Sequence, residues 1–364
     1  ENNNTQTIPD RYITPYLFLL IGTNPLPNYV AAKLLWDKTA TKKKLILIHT
    51  DDTLVYAESI KSLLGNALQK DIECVGVDES KPSEIFKKVH SKMEDLVNNS
   101  TEESKIGINY TGGTKAMAVH AYKAVSELAK DSVRSYLDAR TLSLIFEKQN
   151  TPDDTVAVRD ALTVTLDEMM ALHNFEYLSG KKPRNKPDDK DLAKAIGEQN
   201  LLPLVHAWSQ DLYRVTKAGL GKKPGKTTLN NTLGALPLPC IADLSSIYGS
   251  CKTIGDLAKF KGWSADETCF YFDGAWLEDY VLYSLGQIKA SCSISEVGMD
   301  VKPIPSKKES SKKEQSESDL KDFQIDDYAI RGYQLFAISC GTGSEVGNLK
   351  LKLFEILVRA REIG

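Results

Sequence analysis

The stretch GINYTGGTKAMAVHAY, Gly107 to Tyr122, sets Thr111, Gly112, Gly113, Thr114 and Lys115 at the start of an alanine-rich helical pattern. Glycines at such a junction let backbone approach a ligand, and the first helical turn directs unsatisfied amides and a positive dipole end toward it. Thr114 adds a hydroxyl and Lys115 a charge, so the chemistry implied is the holding of a phosphate-bearing anion. The stretch is not a P-loop. Gly107 and Gly112 have the first spacing, but Gly113-Thr114-Lys115 reverses the order that places a lysine on terminal phosphates and a hydroxyl on magnesium. Taken alone, the loop also reads as a glycine turn that merely caps a helix. Gly225-Lys226-Thr227 is a second decoy: a helical pattern precedes it, and it reads as a flexible basic loop.

A second group of chemistry-bearing residues is acidic. Glu278 lies in GAWLEDYVLYSL, with Val281, Leu282 and Leu285 at helical offsets, so it sits on or beside a buried stripe. An acid there is costly unless paired or bound to a cation. In FQIDDYAIRGYQLFAISC, strand alternation puts Gln324, Asp326 and Tyr328 on one face and Ile325, Asp327 and Ala329 on the other. Adjacent acids are unfavourable inside a strand, and metal ligation would explain one of them. Near the end of the chain Lys352 and Glu355 share a helix face at i,i+3, with Lys350 beside them. That pair is also what a solvated helix face would carry.

The elements that must position these residues fall into three stretches. Up to about residue 148, the apolar runs 16–22, 44–49, 72–77, 105–110 and 133–138 alternate with amphipathic segments, the rhythm of a parallel sheet with helices on both faces. In such sheets ligands bind beyond the carboxyl ends of the strands. Three polar loops fall there: GTNPLPN with Thr23 and Asn24, HTDD with His49, Thr50 and Asp51, and YTGGTK. His120 falls with Met117, Ala121, Ala124 and Leu128 on one helical stripe and reads as packing rather than binding. Residues 151–260 show helical patterns broken by basic loops at 180–191 and 219–228. After Gly262 the order is helix (276–288), strand (293–301), low-complexity loop, strands (324–330 and 334–340) and helix (349–361), with a hairpin at Arg331-Gly332-Tyr333. The expected organisation is α/β: a Rossmann-like parallel-sheet domain at 1–150, a helical linker or insert at 151–260 and a smaller α/β domain at 261–364.

Composition narrows the field. The chain has 364 residues, 41% hydrophobic and 26% charged, with a net charge of -3, so contact with nucleic acid must rest on a local patch. Six cysteines without a C-x-x-C pair, and five scattered histidines, argue against a structural zinc site or a disulfide framework. The polar opening ENNNTQTIPDRY lacks the order of a signal peptide, and no apolar run approaches the roughly 20 residues of a membrane helix. The expectation is a cytoplasmic protein without a membrane span.

The order strand, Asn109-Tyr110-Thr111-Gly112-Gly113-Thr114-Lys115, alanine-rich helix, after an earlier strand ending Gly22-Thr23-Asn24, resembles the CRISPR-associated Rossmann-fold (CARF) sensor domains over about residues 12–148. The resemblance implies a homodimer that binds a cyclic oligoadenylate, expected to be cyclic tetra-adenylate, across its two-fold axis. Thr111 to Lys115 would contact the ligand backbone, with Thr23, Asn24, Thr50 and Asp51 as secondary contacts. A ring of phosphodiesters has no terminal phosphate, which suits a glycine loop without a magnesium clamp. The C-terminal order, with GAWLEDYV, an aspartate-bearing central strand and KLKLFEILVRAREIG, resembles the PD-(D/E)XK nuclease domains fused to such sensors. That resemblance implies a metal-dependent endonuclease of type III CRISPR defence. Glu278 and Asp326 would hold Mn²⁺ or Mg²⁺, with DNA (single-stranded or supercoiled) as substrate and RNA as the second candidate. The (D/E)-x-K positions carry Ser339 and Gly341 instead, so Lys352 with Glu355, or Lys350, is the expected replacement. That fold also expects a further strand beyond Gly364. A HEPN ribonuclease is excluded, since no histidine follows an arginine at its four-to-six-residue spacing. The rival is a ligand-responsive DNA-binding regulator with winged-helix character at 160–260 and a degenerate nuclease domain.

Overall fold

Five apolar runs become the parallel strands β1 (Tyr16–Leu20), β2 (Lys44–His49), β3 (Ile72–Gly76), β4 (Ile106–Asn109) and β5 (Val133–Asp138) of a computed structural model. It describes residues 7–98, 105–148, 151–198, 205, 248, 251, 253–306, 324–342 and 346–363. The basic loop 219–228, most of the helical pattern 201–218 and most of the low-complexity stretch 305–322 lie outside them. The strands lie in the order β3-β2-β1-β4-β5. Both faces of such a sheet are covered, which is why its strands read as unbroken apolar runs rather than alternating ones. Along β1, Leu17 and Leu19 enter one core, beneath α1 (Leu26–Leu35) and α2 (Leu54–Leu63). Tyr16, Phe18 and Leu20 enter the other, beneath α3 (Pro82–Asn98) and α4 (Lys115–Leu128).

The sheet is mixed rather than purely parallel, and it runs past residue 150. Two short antiparallel strands, β6 (Ser143–Phe146) and β7 (Asp154–Ala157), extend it to the order β3-β2-β1-β4-β5-β6-β7. An antiparallel neighbour needs only a tight turn, and Asp138 builds that turn by accepting from the Arg140 amide (3.0 Å) and the Thr141 hydroxyl (3.1 Å).

Beyond the sheet, α5 (Leu166–Leu172) starts with a capping box: Thr165 Oγ1 accepts from the Glu168 amide while Glu168 accepts from the Thr165 amide. The 151–260 stretch is therefore not all helical. It contains β7 and β8 (Phe175–Tyr177), which pairs with β10 (Pro303–Pro305), and then α6 (Lys190–Glu198). Helices α7 (Ile254–Lys261) and α8 (Ala265–Phe270) lead through a π-helical turn (Tyr271–Ala275) into α9 (Trp276–Ile288). Leu192, Ile196, Leu257, Phe272 and Trp276 form a separate core for this helical layer. The C-terminal sheet is antiparallel, with β11 (Ile325–Arg331) between β9 (Glu296–Val301) and β12 (Gln334–Ile338), followed by α10 (Val346–Ile363).

The two sheets are not strung on a loose linker. One continuous core runs from Leu17 and Leu19 through Leu166 and Met169 of α5 to Val301, Ile330 and Ile356. Backbone bonds stitch the seam, among them Val164 N–H to Gly332 O at 2.9 Å. Gly332 is at φ +61°, and a Cβ there would stand 1.9 Å from Arg159 O. Gly332→Ala should therefore lower stability in urea denaturation by at least about 1–2 kcal/mol from the left-handed backbone alone, and by more from the clash. An unchanged midpoint would show that the hairpin does not press on the 158–164 segment.

Candidate functional site

The sheet order reverses between β1 and β4, so the loops that follow these two strands open on either side of a cleft at their carboxyl ends. The loop after β1 carries Thr23 and Asn24, both exposed, and the loop after β4 carries Thr111 to Lys115. Thr114 is the N-cap of α4, its Oγ1 accepting from the Met117 amide at 3.3 Å, and Lys115 is exposed at the helix start. Thr111 Oγ1 accepts from the Leu137 amide (2.7 Å), which ties the loop to β5. Thr50 and Asp51 follow β2 one strand further out. The Thr50 amide donates to Thr53 Oγ1 (2.9 Å), and Asp51 is exposed. His120 is half-buried beside the stripe of Met117, Ala121 and Ala124, while Leu128 at the helix end is exposed rather than packed.

The glycines have a reason other than ligand approach. A Cβ on Gly112 would stand 2.2 Å from Leu20 O and 2.7 Å from Asn28 Oδ1, and Gly113 has φ +74° with Leu20 Cβ 3.0 Å from an added Cβ. The loop is pressed onto the end of β1, and only glycine fits there. At the helix start this leaves half-buried Thr114 and exposed Lys115 as the polar side chains beside the glycines.

Asn24 also faces away from the cleft, toward α5. Its Oδ1 accepts from the Leu26 amide at 3.0 Å and lies 3.3 Å from His173 Nε2. His173 is buried, and burial pushes its imidazole below the ordinary histidine value. A neutral ring that donates from Nδ1 to Met169 O (2.9 Å) has no second proton to give Asn24.

The acidic group is assembled from four elements. Glu278 sits in the first turn of α9, directly after the π turn, a distortion that recurs at functional sites. Asp326 lies near the start of β11, where its Oδ2 accepts from Ser339 Oγ (3.0 Å) and the Cys340 amide (2.7 Å). Ser339 and Cys340 thus leave the β12 ladder, which ends at Ile338 instead of the expected Cys340, and turn in toward the aspartate. Lys352 of α10 donates from Nζ to Cys340 O at 2.9 Å. Lys350 and Glu355 are exposed on the same helix. The structure therefore brings Glu278, Asp326 and Lys352 into one neighbourhood.

Charge in this group is crowded. Burial first, then Asp326 and Asp300, push Glu278 up to about 7, against the opposing pull of Lys352 and Arg184. Asp327 is fully buried and pushed up to about 8, by burial and then by Glu278, Asp326 and Asp279, although Cys340 Sγ donates to its Oδ2 at 3.3 Å. Asp327 is thus not isolated on its opposite strand face, as alternation had implied. Its Oδ1 has no hydrogen-bond partner. The oxygen donors of Glu278 and Asp326 and the excess of negative charge around them fit a hard divalent cation. Among the described residues, no three histidine, cysteine, aspartate or glutamate side chains are grouped closely enough to form a complete cation cage. Glu278 and Asp326 would contribute two ligands.

Asp300 and Arg184 escaped sequence reasoning. Asp300, at φ +62° in β9, accepts from Arg184 Nε (2.5 Å) and Gln324 Nε2 (2.9 Å). Its signal was an acid inside the apolar run EVGMDV; Arg184 had none beyond the basic loop it belongs to. In that loop Lys182 is paired with Asp167, and Arg184 with Asp188 and Asp300, so these two cations are committed within the protein.

The chain thus combines a doubly wound sheet, with a glycine loop at its switch point, and a second α/β layer that carries Glu278, Asp326 and Asp327. Residues 17–165 match the family model of the Card1 CARF domain. Among solved structures the chain is similar to protein VC1899 from Vibrio cholerae (14% identity, 88% of this chain and 78% of that one, TM-score 0.53). It is also similar, at a TM-score of 0.47 and 14% identity over 92% of this chain and 41% of the other, to a type III CRISPR defence DNA nuclease activated by cyclic oligoadenylate. No curated protein matches the chain. No helix among the described residues is long and apolar enough to cross a membrane.

The His173 environment gives a test with a definite sign. A histidine whose folded pKa is depressed takes up its proton first in the unfolded chain, so stability is lost as pH falls below about 6.5. The stability advantage of wild type over His173→Gln, from urea midpoints, should be larger at pH 8 than at pH 5.5. An advantage independent of pH would mean that the ring is not held neutral in the fold.

Proposed function

We propose that the protein is a homodimeric, cyclic-oligoadenylate-activated, metal-dependent endonuclease of type III CRISPR defence, acting on DNA. The observation that carries the proposal is the convergence of Glu278, Asp326 and Lys352 from α9, β11 and α10, on a chain whose N-terminal part matches the Card1 CARF family model. The similarity to VC1899 supports a shared fold beyond that domain. In this reading Thr114, Lys115 and the amides of the Gly112-Gly113 loop hold the phosphodiester ring of cyclic tetra-adenylate, with Thr111, Thr23, Asn24, Thr50 and Asp51 along the same edge. Exposed Val119 on α4 (62%) and exposed Leu351, Phe354 and Val358 on α10 are apolar surface suited to a second copy of the chain.

Mn²⁺ or Mg²⁺, when bound by Glu278 and Asp326, supplies neutralisation of the crowded carboxylates and polarisation of the scissile phosphate. Ser339 Oγ and the Cys340 amide fix the orientation of Asp326, leaving its Oδ1 for the cation. Lys352 is anchored at Cys340 O, so its ammonium is held beside the carboxylates. There it stabilises charge that builds on the phosphate in the transition state, the task of the lysine missing at position 341. Lys350 and Glu355, both exposed, are supporting residues at most.

Ser339 and Gly341 favour one competing reading, the regulator with a degenerate nuclease layer. Variants separate the two. Lys115→Ala should weaken cyclic tetra-adenylate binding about 10- to 100-fold in calorimetry, the loss of one charge-assisted contact. Glu278→Ala and Asp326→Ala should each abolish Mn²⁺-dependent plasmid cleavage while leaving ligand affinity unchanged. Lys352→Ala should lower the rate by about 10²–10³-fold, with Lys350→Ala near parent. Asp327→Asn, which replaces an acid already neutral at pH 7, should retain activity. A wild-type protein that binds duplex DNA in a ligand-dependent manner but cuts nothing in Mn²⁺ would establish the regulator instead.

A further inference from the structure

Where the hairpin of the C-terminal sheet meets the antiparallel edge of the sensor sheet, a cavity of about 510 Å³ is lined by Arg140, Arg159, Arg331, Thr141, Gln334 and one acid, Asp160, with apolar Leu142, Ala157 and Ala161 completing its wall. We propose that this cavity is a binding site for a phosphate-bearing anion, distinct from the cleft at the Gly112-Gly113 loop, and that its ligand bridges the two sheets.

The charge balance is the first support. Three guanidinium groups face one carboxylate among the lining side chains. Asp160 is engaged chiefly by Arg159, whose Nε and Nη2 donate to its Oδ2 at 3.1 and 3.0 Å. It stands 3.7 Å from Arg331 Nε, at ion-pair range but too far to accept a hydrogen bond, and that Nε has no hydrogen-bond partner. Arg140 meets Asp138 through Nε alone, at a long 3.5 Å, and its side chain is 91% exposed. The protein therefore offers more cationic donors here than it can satisfy internally.

Placement is the second support. Arg140 comes from the turn between β5 and β6, and Arg159 from the segment just after β7. Arg331 and Gln334 face each other across the tip of the β11–β12 hairpin. No single element could present this set, and the Gly332 contact with Arg159 O holds the two sides in register. Guanidinium forks from separate directions match the tetrahedral oxygens of phosphate better than a planar carboxylate. The volume lies within the range of small-ligand sites and admits a nucleotide-sized group. The same chemistry is offered by a free nucleotide and by the backbone of a bound nucleic-acid strand.

The proposal does not depend on the nuclease reading, and its test reads binding alone. Full-length protein would be titrated in a calorimeter with sodium pyrophosphate, ATP and an octathymidylate in separate arms. Wild type, Arg331→Gln, Arg140→Gln and Lys115→Ala would be compared. Arg140 is so exposed that its replacement cannot unfold the chain. The expected result is that both arginine variants bind pyrophosphate at least about tenfold more weakly than wild type, while Lys115→Ala binds it as wild type does. A matching loss with ATP alone assigns the site to free nucleotides, and a matching loss with the oligonucleotide assigns it to strand backbone. If no anion binds wild type, or if binding falls only with Lys115→Ala, the cavity is not an anion site.

Discussion

The carboxylate of Glu168 is the interaction on which the relation between the two halves of the molecule rests. It accepts from the Thr165 amide (2.9 Å), Tyr29 OH (2.6 Å) and Lys33 Nζ (3.0 Å), so the residue that closes the cap of α5 also clamps α5 to α1 of the N-terminal sheet layer. Burial opposes its charge, but the bonds from Tyr29, Thr165 and Lys33 win and hold it below its ordinary value. Glu296 does the same work from the other side, accepting from the Leu166 amide (3.2 Å) and Tyr328 OH (2.7 Å). Two carboxylates, one from α5 and one from β9, bracket a single helical turn.

For the proposed function, that bracket would give the loops after β1 and β4 a route to the carboxylate group. At its far end His173 lies 3.3 Å from Asn24 Oδ1 in the loop after β1, and the core around α5 continues into β11 and α10, the elements that carry Asp326 and Lys352. In the proposed function, a ligand that repositions the Asn24 loop would act on α5 through packing at this seam, and α5 cannot move without disturbing the strand beside it. Such a route transmits only differential binding, because a ligand with equal affinity for both arrangements shifts nothing.

Much of this was legible in the sequence, and the failures have physical causes. Parallel strands, buried on both faces, announced themselves as apolar runs, and the loops at their ends followed. The strands β6 and β7 are four residues each, too short to show a period, and β8 and β10 are shorter still, with proline at both ends of β10. Gly112 and Gly113 were recognised as special, and the structure adds a packing reason: Leu20 O and Asn28 stand against a side chain at Gly112, and a positive φ with Leu20 and Met117 against one at Gly113. Glu278 and Asp326 were singled out because an acid inside an apolar pattern is conspicuous. Asp300 and Arg184 meet from positions 116 residues apart, and the arginines at 140, 159 and 331 are brought together from separate elements, so no local pattern reports either grouping.

The claim that ligand binding and the carboxylate group are energetically coupled is the centre of the account, and linkage makes it measurable at equilibrium. Calorimetry of cyclic tetra-adenylate binding would be run once in EDTA and once in Mn²⁺ with a phosphorothioate DNA oligonucleotide that resists cleavage. Coupling between sites is reciprocal and amounts to 1–3 kcal/mol in typical systems. The account predicts that occupation of the carboxylate group tightens ligand binding by about tenfold or more, and that Glu278→Ala erases the difference. Equal affinities in the two conditions for wild-type protein would contradict it.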